Sequence, residues 1–418
     1  MARFLPFESV KPVEQWVGQI CSNNPGWYTQ EELDTVFQKN LYSFLQIIRP
    51  TLEKSQASWK ERFKAVRKNY KSFHEKGYYF RDKNPAYYIY QRILSPSDIF
   101  IGLIGLVHVE DFFNGVIKKH EEILEQRKEL FADYLEEVRF QAEPVLLLYD
   151  ENTEIHQLMT EKIRHAPLLS FTSDDEAIQH KLWRIDEQPY QARIQKKFEQ
   201  IDKLYIADGH HRVDSVALYA QRKVRSDSHT DGSKPYHYVL AYLVADTQIK
   251  IYDYNRLVKD LNGLSPSEFL KKLQIFYQVT DQGEDFYFPL GKHHISLYLQ
   301  GRFYDLHIKP EYCFQPEGLG TLDTYLFEQT VLRSILDIQD TCHSDRMKFI
   351  YGEGSIQSIQ KIKQLVDQSE YEVGFGFYPI SIEDLKRVSD LNLKLPPKST
   401  FIRPKLLSGL TIYEMNDL

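Results

Sequence analysis

The 418-residue chain predicts a mixed α/β fold, and three observations carry that expectation. An apolar run bounded by Gly and acids, IGLIGLVHVE at 101–110, precedes a long amphipathic segment and then the apolar PVLLLYD at 144–150. That is a strand–helix–strand succession. A second such block occupies roughly 180–225. From 276 onward, FYFPL, HHISLYL and GRFYDLHI are short aromatic stretches that read as antiparallel strands.

Taken in order, the first hundred residues read as helical and aromatic, from LYSFLQIIRP to NPAYYIYQRI. In KKHEEILEQRKELFADYLEEVRF, the positions Ile123, Leu124, Phe131, Tyr134, Leu135 and Val138 fall near a 3.6-residue period, which predicts a helix. PVLLLYD opens on a Pro, where a strand tolerates one. Residues 151–180 are polar and punctuated and read as a boundary or a long excursion. HKLWRID predicts a strand, QPYQARIQKKFEQI a helix, and KLYIADGHHR a strand entering a turn. Val213, Val216, Ala217 and Ala220 then mark one face of a helix.

SDSHTDGSKP at 226–235 is the clearest loop. PYHYVLAYLVAD and IKIYDYNRLV predict strands, and the first Ser of SPSEFLKKLQIF caps a helix. TLDTYLFEQTVLRSIL predicts a helix, KFIYGEGSIQSIQKIKQLV a strand, glycine turn and helix, and LPPKSTFIRPKLLSGLTIYEM an irregular tail. Three regions result, 1–165, 166–275 and 276–418, with no low-complexity linker between them.

Composition narrows the function classes. The balance of 52 Lys+Arg against 59 Asp+Glu gives a net charge of −7, which supplies no general attraction to nucleic acid or an anionic membrane. Nucleic acid is therefore a disfavoured partner. Aromatic residues at 14% argue against disorder. Cys21, Cys313 and Cys342 lie far apart without a C-x-x-C pair, as expected of free thiols in a reducing compartment. No structural zinc is expected. With no signal-like apolar leader and no membrane-length apolar stretch, the expected location is the cytoplasm. The oligomeric state is left open.

The sharpest motif is Asp208-Gly209-His210-His211-Arg212 at a strand-to-helix junction. Gly209 permits a tight turn and close backbone approach. The helix start offers N–H groups and the positive dipole end to an anion. Arg212 has the fork for phosphate oxygens, and His210 and His211 the titration range for proton transfer or charge stabilisation. Asp208 has the chemistry to orient an imidazole or hold Mg²⁺. The bland alternative is a turn whose histidines cap a helix.

Other candidates are weaker. His120 and Glu121, in Lys118-Lys119-His120-Glu121-Glu122, offer an acid/base pair or a solvated helix start. Lys398, Ser399 and Thr400, with Arg403, Lys405 and a flexible Ser408-Gly409, offer a phosphate lid or a docked tail. Asn255 and Arg256 offer a second phosphate contact or a surface ion pair. Gly352-Glu353-Gly354-Ser355 is an incomplete dinucleotide fingerprint and reads as a turn. His293 and His294 fall on opposite faces of a strand and so cannot readily share a metal.

YIADGHHR, together with NLYSFLQIIRP, GLIGLVHVEDFFNGVIKKHEE, IYDYNRLV and the tail, resembles an uncharacterised bacterial family, domain of unknown function 1015, over essentially the whole chain. The family has a similar H-E-E-T run, with Ile123 here in place of the Thr. A Gly-x-x-Arg core opening a helix is also similar to the phosphate motif of the ParB/sulfiredoxin superfamily, and D-G-H-H-R looks most like its free-serine kinases. That resemblance implies a central nucleotide-binding unit, ATP or ADP with Mg²⁺, and phosphoryl transfer to a small hydroxyl-bearing metabolite. It also implies an acidic general base from an N-terminal segment, whose counterpart here is not placed. A sulfiredoxin activity does not follow, because His210 stands where the reactive Cys would be. The rival expectation is a nucleotide- or phosphate-responsive regulatory protein without turnover.

Overall fold

A computed structural model describes residues 1–51, 57–173, 178–227, 231–313, 318–341, 343–352 and 356–415. The chain divides into two compact units rather than three successive regions. One comprises residues 1–118, 123–249 and 404–418, the other 119–122 and 250–403. The expected boundaries at 165 and 275 therefore do not mark units, and the tail returns to the first.

The first unit is built on a nine-stranded sheet. Its strands are β1 (Phe4–Leu5), β2 (Tyr87–Ser95), β3 (Asp98–His108), β4 (Ile117–Lys118), β5 (Val145–Tyr149), β6 (Leu169–Thr172), β7 (Gln179–Ile185), β8 (Leu204–Asp208) and β9 (Tyr238–Ala245). They run in the order β4-β8-β5-β9-β3-β2-β7-β6, with β1 on β3. The β4–β8 and β5–β9 pairs are parallel and the remainder antiparallel. Continuous apolar strands at the centre are buried on both faces, as with Val145 to Tyr149.

Helices α1 (Trp59–Glu75), α2 (Glu125–Val138), α3 (Thr153–Ile163), α4 (Gln188–Phe198) and α5 (His210–Ser226) belong to this unit. Ser58 and Glu61 form a reciprocal capping box that starts α1. The buried face of α1, with Phe63, Val66, Tyr70 and Phe73, packs with Phe44, Ile47, Val138 and Phe140.

Three expectations change here. NPAYYIYQRI is not helical: its Tyr and Ile density suits a buried pleat, and Tyr87, Tyr88, Ile89 and Tyr90 fill β2. The helix expected from 118 begins only at Glu125. Residues 151–180 are no boundary, since Asn152 caps α3 and β6 follows inside the same unit. Of the loop at 226–235, Ser228 to Thr230 lie outside the described residues.

The second unit holds a six-stranded sheet of β10 (Tyr254–Val258), β11 (Tyr277–Gly283), β12 (His294–Leu299), β13 (Arg302–Ile308), β14 (Met347–Tyr351) and β15 (Val373–Phe377). The order is β11-β13-β12-β15-β10-β14, antiparallel throughout. Helices α6 (Pro266–Phe276), α7 (Ile356–Asp367) and α8 (Ile382–Asp390) accompany it. Ser265 and Glu268 cap α6 reciprocally, as the sequence predicts for its Ser. Gly376 lets α7 lie directly on β15, because a Cβ there would come within 2.5 Å of Ile359 Cδ1.

The hairpin of HHISLYL and GRFYDLHI forms as expected, whereas FYFPL forms no strand. Pro289 removes a donor there, and although Tyr287 and Phe288 pack on the core, Leu290 is 85% exposed. The helix expected around 321–336 begins at Asp323 and passes into a π turn at Glu328–Arg333. Glu353 to Ser355 and Cys342 lie outside the described residues. Cys21 and Cys313 are free thiols, and burial raises both pKa values. Among the described residues, no helix is long and apolar enough to cross a membrane.

Candidate functional site

The D-G-H-H-R segment sits at the end of β8 in the first unit. β8 pairs with β5 through Tyr205–Leu148 and Ile206–Leu147, and the register then shifts before Asp208–Leu146. A bulge of this kind re-aims the side chain that follows it. Gly209 has φ +96, and the N–H groups of Arg212 and Val213 both donate to its carbonyl. An added Cβ at Gly209 would lie 2.9 Å from Arg212 Nε and from Val145 Cγ1. Gly209 therefore serves both the turn and the packing of Arg212 above it.

Around this turn the structure brings together Asp208, Arg212, Lys405 and a residue the sequence reading missed, Glu143. Arg212 Nη2 donates to Asp208 Oδ2 at 2.7 Å, and Lys405 Nζ to Asp208 Oδ1 at 2.5 Å. Arg212 Nη1 meets Glu143 Oε1 at 2.6 Å and donates to the carbonyls of Glu143 and Pro144 at 3.1 Å each. Burial works to raise the Asp208 pKa, but Lys405 and Arg212 beside it prevail and lower it to about 2. The carboxylate is thus fixed as an anion at neutral pH.

Glu143 is itself held by Asn24 Nδ2 at 2.9 Å and Ser408 Oγ at 3.2 Å. The tail that supplies Lys405 is stitched down: Ser408 and Ser22 exchange backbone bonds, and Gly409 N donates to Ala142 O at 2.8 Å. Arg92 also donates to the carbonyl of Lys405. Ser408 is buried and Gly409, at φ +83, packs on Phe44, so the flexible Ser408-Gly409 of the sequence reading is a locked turn. Glu143 and Asn24 carried no local signal, because only long-range folding gives either its partners.

His210 and His211 open α5; His210 is buried, and the carbonyl of His211 accepts from Ser215 Oγ at 2.6 Å. Each oxygen of Asp208 faces a cation. That donor set does not fit Mg²⁺, which needs carboxylate oxygens to replace its water ligands.

The remaining candidates belong to the second unit. His120 is fully buried and not on a helix, and its carbonyl accepts from Leu395 N at 2.8 Å. Glu121 is half-buried. Asn255 is fully buried, with Oδ1 accepting from Phe377 N at 3.0 Å. Arg256 is buried under the tail: it donates to the carbonyls of Tyr254 and Lys398, and its guanidinium lies 4.4 Å from the Phe377 ring centroid. Burial lowers its pKa to about 10. Neither forms the surface ion pair that was the alternative expectation. Ser399 Oγ donates to Pro396 O at 2.7 Å and lies in hydrogen-bond contact with Thr324 Oγ1 at 3.0 Å, which ties down the Lys398-Ser399-Thr400 turn. His293 precedes β12, while His294 Nδ1 faces Asp305 at 3.0 Å.

A family model described as a protein of unknown function (DUF1015) matches residues 4–328. The comparison with curated proteins returns no match. Among solved structures the chain is similar to a free serine kinase in complex with AMP, at TM-score 0.35 and 14% identity, covering 73% of this chain and 90% of that one. It is similar to SbnI with a C-terminal truncation from Staphylococcus aureus at TM-score 0.38 and 13% identity, covering 72% and 82%. A conserved hypothetical protein from Pyrococcus furiosus is similar at TM-score 0.35 and 12% identity, covering 72% and 93%.

Proposed function

From the premise that this chain belongs to the DUF1015 family, we propose that its Gly209 turn binds the phosphates of ATP or ADP and supports phosphoryl transfer to a small hydroxyl-bearing metabolite. The observation that carries the reading is the Lys405–Asp208–Arg212 cluster at the mouth of α5. Two cations and the positive end of a helix converge there on one anion. The resemblance of D-G-H-H-R to free-serine kinases points the same way.

The roles differ from those the motif alone implies. Arg212 is engaged by two carboxylates and two carbonyls, so it anchors the turn. Lys405, on a flexible four-carbon stem, is the cation that passes from Asp208 to a phosphate oxygen. Asp208 remains ionised and positions Lys405; it is not the proton acceptor. His211 takes the hydroxyl proton as that oxygen attacks the terminal phosphorus and the bond from that phosphorus to the rest of the nucleotide breaks, releasing ADP from ATP or AMP from ADP, while His210 stabilises charge. In the second unit, His120 and Glu121 stand as a proposed acid/base pair, and Lys398 to Thr400 as a proposed phosphate-facing turn.

A second reading, a nucleotide- or phosphate-responsive protein without turnover, is favoured by one observation: Arg212 and Lys405 are both already paired with carboxylates. Phosphorus NMR separates the two. The protein is incubated with ATP or ADP and a panel of hydroxylated metabolites, with and without added Mg²⁺. Transfer predicts a phosphate-ester signal that His211→Ala reduces by about 10²-fold or more, the usual contribution of a positioned base. Nucleotide binding with no new ester on any metabolite supports the regulatory reading instead.

A further inference from the structure

An apolar groove in the first unit starts beside Arg212 and is not used by the phosphate reading. Its inner part is a cavity of about 310 Å³, with Arg212 and Glu143 on one wall and Phe44 and Phe140 among the others. Ile48, Arg49, Phe131 and Tyr134 line this cavity and also a neighbouring one of about 560 Å³. Trp59 and Arg62 border that outer part. Trp59 is 59% exposed and Phe131 39% exposed. Large aromatic side chains left open around a hollow mark a surface that an apolar group covers.

The polar groups of the two ends differ. At the inner end, Glu143 and Arg212 satisfy each other and their neighbours, so that wall asks for no additional charge. At the outer end, Arg62 Nε donates to Ala57 O at 3.3 Å and its guanidinium lies 5.8 Å from the Trp59 ring centroid. Among the described residues, neither Arg49 nor Arg62 is ion-paired with a carboxylate. An aromatic channel with two guanidinium groups along it that meet no carboxylate among the described residues is complementary to an apolar chain ending in an anion.

We infer that this groove binds an elongated amphipathic anion: an acyl or aryl body along Phe131, Tyr134 and Phe44, with its carboxylate or phosphate on Arg49 and Arg62. The inference goes beyond the nucleotide reading and does not depend on it. Such a ligand is larger and more apolar than a free amino acid.

Calorimetric titration of the full chain with octanoate, octyl phosphate, octanol and inorganic phosphate tests it, with the amphiphiles kept below micellar concentration. Octanoate or octyl phosphate binds, inorganic phosphate does not, and the Arg49→Ala/Arg62→Ala double variant weakens binding at least tenfold. Binding also changes Trp emission, and Trp59→Phe removes that change. ADP affinity in the double variant stays at the wild-type value, which separates failure here from failure of the nucleotide reading. The inference is overturned if octanol binds as tightly as either anion, if neither anion binds, or if the double variant binds as the wild type does.

Discussion

Asp208 gains its character from two residues the motif does not contain or does not fully explain. Lys405 arrives from 197 positions away, and Arg212 is aimed by Glu143. A carboxylate whose pKa is about 2 when folded and near 3.8 otherwise contributes stability above the unfolded value. That contribution disappears as pH falls through the folded value. The side chain is 32% exposed, so solvent screening reduces the effect to on the order of 1 kcal/mol. Denaturant titrations should therefore show Asp208→Asn less stable than wild type above pH about 4, with the gap closing towards pH 2. A gap independent of pH would mean that the Asp208 charge does not matter.

At the scale of elements, the strand-to-helix unit around D-G-H-H-R was legible because its signals are local: an apolar strand, a glycine turn and a 3.6-residue apolar face. Gly209→Ala places a Cβ at φ +96 and 2.9 Å from Arg212 and Val145. The expected cost is about 1–3 kcal/mol in chemical denaturation, with a parallel loss of ADP affinity as Arg212 is displaced. Wild-type stability in Gly209→Ala would remove the structural basis given to the turn. What was not legible follows the same logic in reverse. Tyr87 to Tyr90 read as part of an aromatic helical stretch, because nothing local reveals that β3 and β7 flank them. Glu143 and Asn24 have no pattern of their own, since only folding joins segments 22–24, 142–145, 208–212 and 405–409.

Across the whole molecule, the mixed α/β class was readable from the order of its elements, whereas the division of the chain was not. The path leaves the first unit at 250 and re-enters it at 404, with a further excursion at 119–122. No Pro- or Gly-rich linker announces the crossings at 119–122 and 250 in the sequence. The net charge of −7 repels an anion on average, so in the proposed function the attraction of a nucleotide rests locally on Lys405 and the N-terminal end of α5. Calorimetric titration of the full-length protein with ADP, wild type against Lys405→Met, tests that claim most directly. The cluster account predicts wild-type binding that weakens as salt rises, and a loss of at least tenfold in Lys405→Met. Equal ADP affinity in the two proteins, or no ADP binding by the wild type, would contradict it.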